Sequence, residues 1–197
     1  IVYKPINWDA KDLELSSKAI DCIWNGFTIE GREDAYTFTD PYMKNSQVVV
    51  VRSDSGITNL EGLSGKTVAA QADSAAMHLL EADGDQEALA KTFKKLLSVP
   101  EYNTAFLDLE SGAVDAIAMD LPVANFQIVG RESKFTVLTD TPLSLEHYGV
   151  GFLKGNTELR DKVQDTLKKM VADGTVEAIA KKYESQGISY SMWVLGK

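Results

Sequence analysis

The sequence predicts an α/β fold, and three observations indicate it. Short apolar runs alternate with helical patterns along the whole chain, as is typical of α/β proteins. Hydrophobic residues make up 44% of the 197 residues and charged residues 25%, which is an ordinary globular composition. The third observation is an internal repeat. Together they are compatible with one or two domains of alternating strands and helices.

The elements follow from the periodicity of the apolar residues. Apolar runs predict strands at Ile1–Ile6, Ala19–Trp24, Gln47–Arg52, Thr67–Gln71, Ala113–Met119, Phe135–Leu138 and Tyr148–Leu153. Helical spacing predicts helices at Ala10–Leu15, Ala75–Leu80, Gln86–Leu97, Thr104–Glu110, Pro122–Val129, Glu158–Ala172 and Val176–Glu184. The helix from Glu158 is the clearest, because Thr157 can cap it and Leu159, Val163 and Leu167 share one face.

The internal repeat joins Leu13–Ile23 to Leu107–Ile117. Six of the eleven aligned positions are identical. Each copy is typical of a helix end, a tight turn and a buried strand. The match either arises by chance between two αβ units or indicates two similar lobes, each with one strand ending at a shared cleft. The segments after the two strands, Asn25–Arg32 and Met119–Asp120, are then the places to look for a site.

Charge and cysteine content exclude several classes of function. The net charge is −9 and the isoelectric point is about 4.7, so nucleic-acid binding is disfavoured. Apolar runs such as Gln47–Val51 fall far short of the ~20 residues that span a bilayer. The single cysteine, Cys22, allows neither an internal disulfide nor a cysteine-based metal site, and its apolar neighbours favour an inert thiol.

The loop after the first repeated strand offers groups for an anion. Gly26 exposes backbone groups, Thr28 adds a hydroxyl, and Arg32 can present a bidentate fork to a carboxylate. The alternative is a surface turn in which Arg32 pairs with Glu33 or Asp34.

Three further positions have both a ligand interpretation and a structural one. Ser74 and Ala75 open a helix after a strand, where free N–H groups can hold an anion, or Ser74 simply caps the helix. Asp120 ends the second repeated strand and can hold an ammonium group or cap the following helix. Trp8 offers an apolar face to a ligand side chain or belongs to the core. A carboxylate site, an ammonium site and an apolar face together describe an α-amino acid.

Catalytic signatures are absent from the sequence. Gly62–Thr67 resembles the end of a phosphate-binding loop, but Leu60 breaks the glycine spacing. His78 and His147 are the only histidines, and a solvated or capping role is expected for each rather than general-base chemistry. The sequence predicts no cofactor and no metal.

The chain resembles the polar amino-acid solute-binding proteins of bacterial ABC importers, a small two-lobed type of periplasmic binding protein. The matching stretches are Ile20–Thr28, Arg32, Phe38–Tyr42, Leu63–Val68, Leu109–Ala116, Asp120, Leu159–Val163, Asp173–Thr175 and Ile179. The match covers nearly the whole chain in the family's order.

The resemblance implies a Venus-flytrap fold that binds a small polar amino acid without chemistry of its own. Lobe 1 would comprise residues 1–44 and 148–197, lobe 2 residues 48–144, with hinge segments near 42–47 and 146–149. The resemblance assigns the ligand carboxylate to Arg32, to the Thr28 amide or hydroxyl, and to amides near Ser74 and Ala75. It assigns the ammonium to the Gly26 carbonyl and Asp120, and the ligand side chain to Trp8. Gln71 and Met119 would line the second lobe.

The sequence departs from the family pattern in two places. The loop from Thr28 to Arg32 is one residue shorter than in many relatives, which affects the geometry of Arg32. The strand and helix that the family has before the segment beginning at Ile1 are absent, so we expect an N-terminally truncated first lobe with unpaired strand edges. A second copy, through domain swapping, or a separate N-terminal piece would complete the lobe.

The resemblance further implies a membrane permease as partner and an extracytoplasmic location, in the periplasm or at a Gram-positive cell surface, with a lipid anchor in the full-length form. Two alternatives stay open at this point. One is a dehydratase-like enzyme on the same scaffold, and the other is a truncated sensory or interaction module that has lost binding.

Overall fold

The computed structural model describes residues 1–196, which divide into two compact units. Unit 1 comprises Ile1–Asn45 and Glu146–Lys197, and unit 2 comprises Ser46–Leu145. The chain therefore passes between the units twice, once after Asn45 and once before Glu146.

Unit 2 is built around a mixed sheet with the strand order β4-β3-β5-β2-β6. Strands β3 and β5 are parallel neighbours, β4 is parallel to β3, and β2 is antiparallel to both β5 and β6. Strand β7 also pairs with β2. The strands, of which β2 begins and β7 ends in unit 1, are β2 (Met43–Arg52), β3 (Thr67–Gln71), β4 (Lys95–Val99), β5 (Ala116–Asp120), β6 (Phe135–Leu138) and β7 (Ser144–Tyr148). The helices are α2 (Ala75–Leu80), α3 (Glu87–Ala90), α4 (Tyr102–Ser111) and α5 (Leu121–Ile128).

Both faces of this sheet are buried, which explains the unbroken run of valines in β2. Val49 and Val51 pack into one core with Met77 of α2, whereas Val48 and Val50 pack into another with Phe106 of α4. Successive side chains of a strand point to opposite faces, so a strand covered on both sides is apolar at every position.

Unit 1 contains a two-stranded antiparallel sheet, β1 (Tyr36–Phe38) paired with β8 (Gly151–Leu153). Its helices are α1 (Lys11–Ser16), α6 (Thr157–Ala172) and α7 (Thr175–Lys182). One core cluster joins Val150 and Phe152 to Leu167 of α6 and to Leu195 near the C-terminus. A second cluster consists of Leu15, Ile23, Phe27 and Tyr36, with Trp8 packed against it.

The two copies of the sequence repeat have the same local geometry. The aligned residue just beyond each helix adopts a left-handed conformation, with φ of 60° at Lys18 and 79° at Gly112. The next amide donates back to the equivalent helix carbonyl in each copy, Ala19 to Glu14 at 2.9 Å and Ala113 to Asp108 at 2.8 Å. The repeat is therefore a structural repeat of helix end and turn.

The strand expected at Ile1–Ile6 is not present, and the strand expected at Ala19–Trp24 is reduced to a single bridge from Ile23 to Gly151. The side chains of Ile1, Val2 and Tyr3 are exposed. A strand requires a hydrogen-bonded neighbour, and no segment within residues 1–196 pairs with Ile1–Ile6.

The helix predicted at Gln86–Leu97 is wrong in its second half. Only Glu87–Ala90 is helical, and Lys95–Val99 instead forms β4, with Leu97 paired to Ala69. The apolar spacing fits a helix, but pairing with β3 overrides that local preference. Strand β1 was not predicted, and the strand expected at Tyr148–Leu153 divides into β7 and β8. Thr157 is the first helical residue of α6 rather than its cap, which is Asn156.

The structure also bears on the predictions made for the Cys22 thiol and for membrane-spanning segments. Burial, followed by the charge of Asp21, raises the pKa of the partly buried Cys22 thiol, so little thiolate forms near neutral pH. Among the helices of residues 1–196, none combines the length and apolar character needed to cross a membrane.

Lys18 provides a test of the repeat. A lysine in the left-handed region is strained, whereas glycine occupies the equivalent position in the second copy. Lys18→Gly is expected to raise the free energy of unfolding by roughly 0.5–1 kcal/mol, since glycine removes a steric cost of about 1–2 kcal/mol. The measurement is denaturant unfolding. Gly112→Ala is the matched control and should lower stability by a similar amount; a destabilised Lys18→Gly would contradict the interpretation.

Candidate ligand-binding site

The segment from Phe27 to Ile29 forms an antiparallel pair with the segment from His147 to Gly149. Ile29 donates to the His147 carbonyl at 3.0 Å, and Gly149 donates to the Phe27 carbonyl at 3.0 Å. Thr28 lies opposite Tyr148 in the non-hydrogen-bonded position of this pair. Its N–H and C=O therefore point away from the paired segment, toward the outer edge. We call Phe27–Ile29 the binding strand.

Arg32 lies at that outer edge, held over a buried aromatic ring. Its guanidinium carbon is 5.3 Å from the centroid of the Phe27 ring, and Nη1 is 3.4 Å from the Thr28 carbonyl oxygen. A β-turn closed by the Arg32 amide and the Ile29 carbonyl, 2.9 Å apart, brings the side chain back. Gly31 takes the left-handed position of this turn, with φ of 77°. The guanidinium and the Thr28 peptide group thus share one edge.

The Phe27 ring is fully buried and supports the arginine. The ring packs against Tyr36 with centroids 4.8 Å apart and against Phe38 at 5.2 Å. Because these contacts fix the ring, they also fix the surface on which the planar guanidinium lies. Arg32 is itself only 9% exposed.

The Thr28 hydroxyl donates to a buried carboxylate. Thr28 Oγ1 is 2.7 Å from Glu146 Oε1, and Asn45 Nδ2 donates to the same oxygen at 2.5 Å. Thr28, Asn45 and Glu146 are all buried. A hydroxyl has one proton, so while Thr28 donates to Glu146 its backbone N–H, and not its hydroxyl, is the donor that faces an incoming anion.

Gly26 and Trp8 lie beside this cluster. Gly26 has φ of 54°, and a Cβ there would be 3.2 Å from the Tyr148 ring, so a side chain at this position would be strained and would crowd Tyr148. Trp8 packs edge-on against Phe27 with centroids 5.7 Å apart, and the Lys11 ammonium lies 5.6 Å from the Trp8 ring. Trp8 therefore contributes to the core, and its contact with a ligand stays a prediction.

In unit 2, Asp120 lies at the carboxyl end of β5. Its Oδ1 accepts a hydrogen bond from Gln47 Nε2 at 2.9 Å, and its side chain makes no capping bond to α5. Gln47 is fully buried, directly after the chain enters unit 2, and its carbonyl accepts from Leu143 at 2.7 Å. Asp120 is thus oriented by a glutamine rather than used as a helix cap.

Gln71 is the last residue of β3, and Ser74 and Ala75 follow it. Because β3 neighbours β5 in parallel, this edge of the sheet also carries Asp120. Gln71 Nε2 donates to the Pro100 carbonyl at 3.0 Å. Ser74 caps α2, because its Oγ accepts from Met77 at 3.1 Å, and its N–H donates to Gln71 at 3.2 Å. The capping interpretation of Ser74 is therefore confirmed, while anion binding near Ala75 stays a prediction.

Both histidines form pairs with acids. His147 Nδ1 lies 2.8 Å from Glu30 Oε1, and His78 Nε2 lies 2.8 Å from Asp73 Oδ1. Each pair is substantially exposed. An exposed histidine–carboxylate pair contributes little to stability and needs no catalytic interpretation.

The structure thus brings Gly26, Thr28 and Arg32 together in unit 1, and Gln71, Ser74, Ala75 and Asp120 to one sheet edge in unit 2. Comparison with known proteins identifies the family. The family model of the bacterial extracellular solute-binding proteins, family 3, matches residues 1–186. The chain belongs to this family.

Relatives and solved structures of the family agree over most of the chain. The L-cystine-binding protein TcyJ of Escherichia coli is 29% identical over 91% of this chain and 66% of its own length. The histidine-binding periplasmic protein of the same organism is 31% identical over 89% and 68%, respectively. A histidine-bound substrate-binding protein of an ABC uptake transporter from Streptococcus pneumoniae superposes with a TM-score of 0.87 at 31% identity, covering 96% of this chain and 78% of that one.

These matches confirm the predicted periplasmic-binding-protein fold. The chain spans about two thirds of the length of the curated relatives it matches.

Three residues of this solute-binding protein were missed at the level of sequence. Asn45 and Glu146 lie in segments predicted only as hinges, and Gln47 was predicted as a hinge residue and as the start of a strand. Each of them nevertheless orients a predicted ligand residue or its partner. The available signal was polarity: Asn45 and Gln47 precede a run of valines within one strand, where a buried polar side chain requires a hydrogen-bonded partner.

Substitution of Gly151 tests whether the Phe27 ring is fixed in its position by close packing. A Cβ at Gly151 would lie 2.5 Å from two carbons of the Phe27 ring, so Gly151→Ala must displace the ring under Arg32. We expect a loss of about 1–3 kcal/mol in the free energy of unfolding, as for an overpacked core. The double variant Gly151→Ala/Phe27→Leu is the control, since a smaller side chain should recover part of that loss. The free energies of unfolding are measured with denaturant. If the effects of Gly151→Ala and Phe27→Leu were fully additive, the predicted contact between the two positions would be contradicted.

Proposed function

We propose that this chain is the amino-acid-binding component of an ABC-type importer. It binds the α-carboxylate of a small polar amino acid through Arg32 and the Thr28 N–H in unit 1, and the α-ammonium through Asp120 in unit 2. It releases the ligand unchanged to a membrane permease. The protein acts outside the cytoplasm, and a lipid anchor in the full-length form is part of this proposal.

The observation that carries the proposal is the outer edge of the binding strand. There the Arg32 guanidinium and the Thr28 peptide group are fixed side by side by Phe27 and by pairing with β7. A guanidinium matches the two oxygens of a carboxylate, and a neighbouring N–H adds a charge-assisted hydrogen bond. Burial of Arg32 limits competition from water.

The names of the relatives support the same ligand class. The two E. coli proteins are named for L-cystine and histidine, and the S. pneumoniae structure holds histidine. These ligands differ in side chain and share the α-carboxylate and α-ammonium groups, which are the groups that Arg32 and Asp120 complement by charge. The proposal therefore names α-amino acids as the class.

A thermal-shift screen of the twenty common amino acids and L-cystine tests the function directly. A ligand at about 100 times its dissociation constant stabilises the folded state by roughly 2.7 kcal/mol, so one or a few polar amino acids should raise the melting temperature clearly. Recovery of the unchanged ligand after incubation distinguishes binding from turnover. A cooperative melt without any shift would contradict the proposal.

The proposed contacts of Arg32 with the carboxylate and of Asp120 with the ammonium can be tested separately. The probe is an analogue of the amino acid that binds most tightly, with a hydroxyl in place of the ammonium group. Arg32→Lys should weaken the amino acid and the hydroxy acid equally, by about 2 kcal/mol or roughly thirtyfold, because lysine retains the charge but loses the bidentate geometry. Asp120→Asn should weaken the amino acid strongly and the hydroxy acid little. Calorimetry measures both affinities. Equal losses for the two ligands in Asp120→Asn would reject the ammonium assignment.

A further inference from the structure

Glu146 has a position that the binding of an amino acid does not by itself explain. It is the first residue of unit 1 after the second passage of the chain, and Asn45 is the last residue before the first passage. One oxygen of its carboxylate accepts hydrogen bonds from Asn45 and from Thr28, which are 101 and 118 positions away in the sequence. A single carboxylate oxygen thus joins the binding strand to both passing segments.

We propose that Glu146 is a positioning residue for ligand binding, which acts through Thr28 and makes no contact with the ligand. This inference rests on the proposed function. By accepting the Thr28 hydroxyl proton, Glu146 fixes the side-chain rotamer of Thr28 and keeps the hydroxyl turned away from the outer edge. The backbone N–H is then the group that Thr28 offers beside Arg32.

The burial of Glu146 and Thr28 favours the hydrogen bond between them over hydrogen bonds to water. Glu146 is 5% exposed and Thr28 is 3% exposed, so water does not compete for either group. A buried carboxylate is costly without hydrogen-bond donors, and a buried hydroxyl is costly without an acceptor. Removal of the carboxylate therefore takes this acceptor away from both Thr28 and Asn45.

The exposed Glu30–His147 pair lies beside Glu146 and provides a matched control. Glu30 lies two residues after Thr28 and contacts His147, which is the residue after Glu146. The Glu30–His147 pair therefore links the same two segments, but at the surface, where its removal should matter little. An effect that Glu146 shows and Glu30 lacks therefore comes from the buried interactions of Glu146, and the double-variant cycle with Thr28 isolates the share that acts through Thr28.

The test uses the variants Glu146→Gln, Glu146→Met and Glu30→Gln of the full chain. Glutamine retains an oxygen that can accept both hydrogen bonds, whereas methionine fills a similar volume without an acceptor. The first readout requires no ligand: three-bond couplings to the Thr28 methyl group report its rotamer by NMR. We expect one rotamer in the unsubstituted protein, in Glu146→Gln and in Glu30→Gln, and averaging between rotamers in Glu146→Met.

The second readout is calorimetric affinity for the amino acid that gives the largest shift in the screen of twenty amino acids and L-cystine. Glu146→Met should bind it at least tenfold more weakly, and Glu146→Gln should recover most of that loss. In a double-variant cycle with Thr28→Val, the two losses should be strongly non-additive, because both remove the same hydrogen bond.

The outcomes separate this inference from the proposed function. If no amino acid binds the unsubstituted protein, the proposed function fails, and with it the binding role of Glu146, whatever the rotamers show. If an amino acid binds, then a single Thr28 rotamer in Glu146→Met, or additive losses in the cycle, overturns the positioning role alone. A melting temperature for each variant verifies that it is folded.

Discussion

The pairing of Phe27–Ile29 with His147–Gly149 is the constraint on which the rest of unit 1 depends. It places Thr28 in a non-hydrogen-bonded position, and this turns one peptide group outward while the Phe27 ring is buried. Arg32 can reach that edge because a turn through Gly31 reverses the chain. If the pairing shifted by one residue, the Phe27 ring would move to the other face and the Thr28 N–H and C=O would turn toward the paired segment, so neither the arginine surface nor the carboxylate site would exist.

Much of the fold could be predicted from the sequence where local pattern and tertiary packing agree. Thr67–Gln71 and Phe135–Leu138 are strands with the predicted bounds, and Ala75–Leu80 is the predicted helix. Prediction failed where an element depends on a distant partner. Lys95–Val99 has a helical apolar spacing but pairs with β3, and Ile1–Ile6 has a strand composition without a described neighbour.

The residues of the candidate site likewise divide into those that could be predicted from the sequence and those that could not. Arg32, Thr28 and Asp120 could be found because each follows a copy of the repeat that was predicted to contain a strand, and strand ends are where α/β folds bind ligands. Glu146, Asn45 and Gln47 could not, because their importance comes from hydrogen bonds to residues about 70 to 120 positions away. The resemblance to the family supplied the order of the motifs, but the direction in which Thr28 turns its hydroxyl depends on the structure.

In the proposed function, the outer edge of the binding strand receives the carboxylate of the ligand. The most direct measurement is an NMR titration of the ¹⁵N-labelled protein with the amino acid that binds best, observing the Thr28 amide and the Arg32 Nε–H. We predict that both proton signals move downfield, because both groups become donors to an anion, and that the titration curves fit the dissociation constant found by calorimetry. Saturating shifts elsewhere in the protein, with these two signals unmoved, would contradict it.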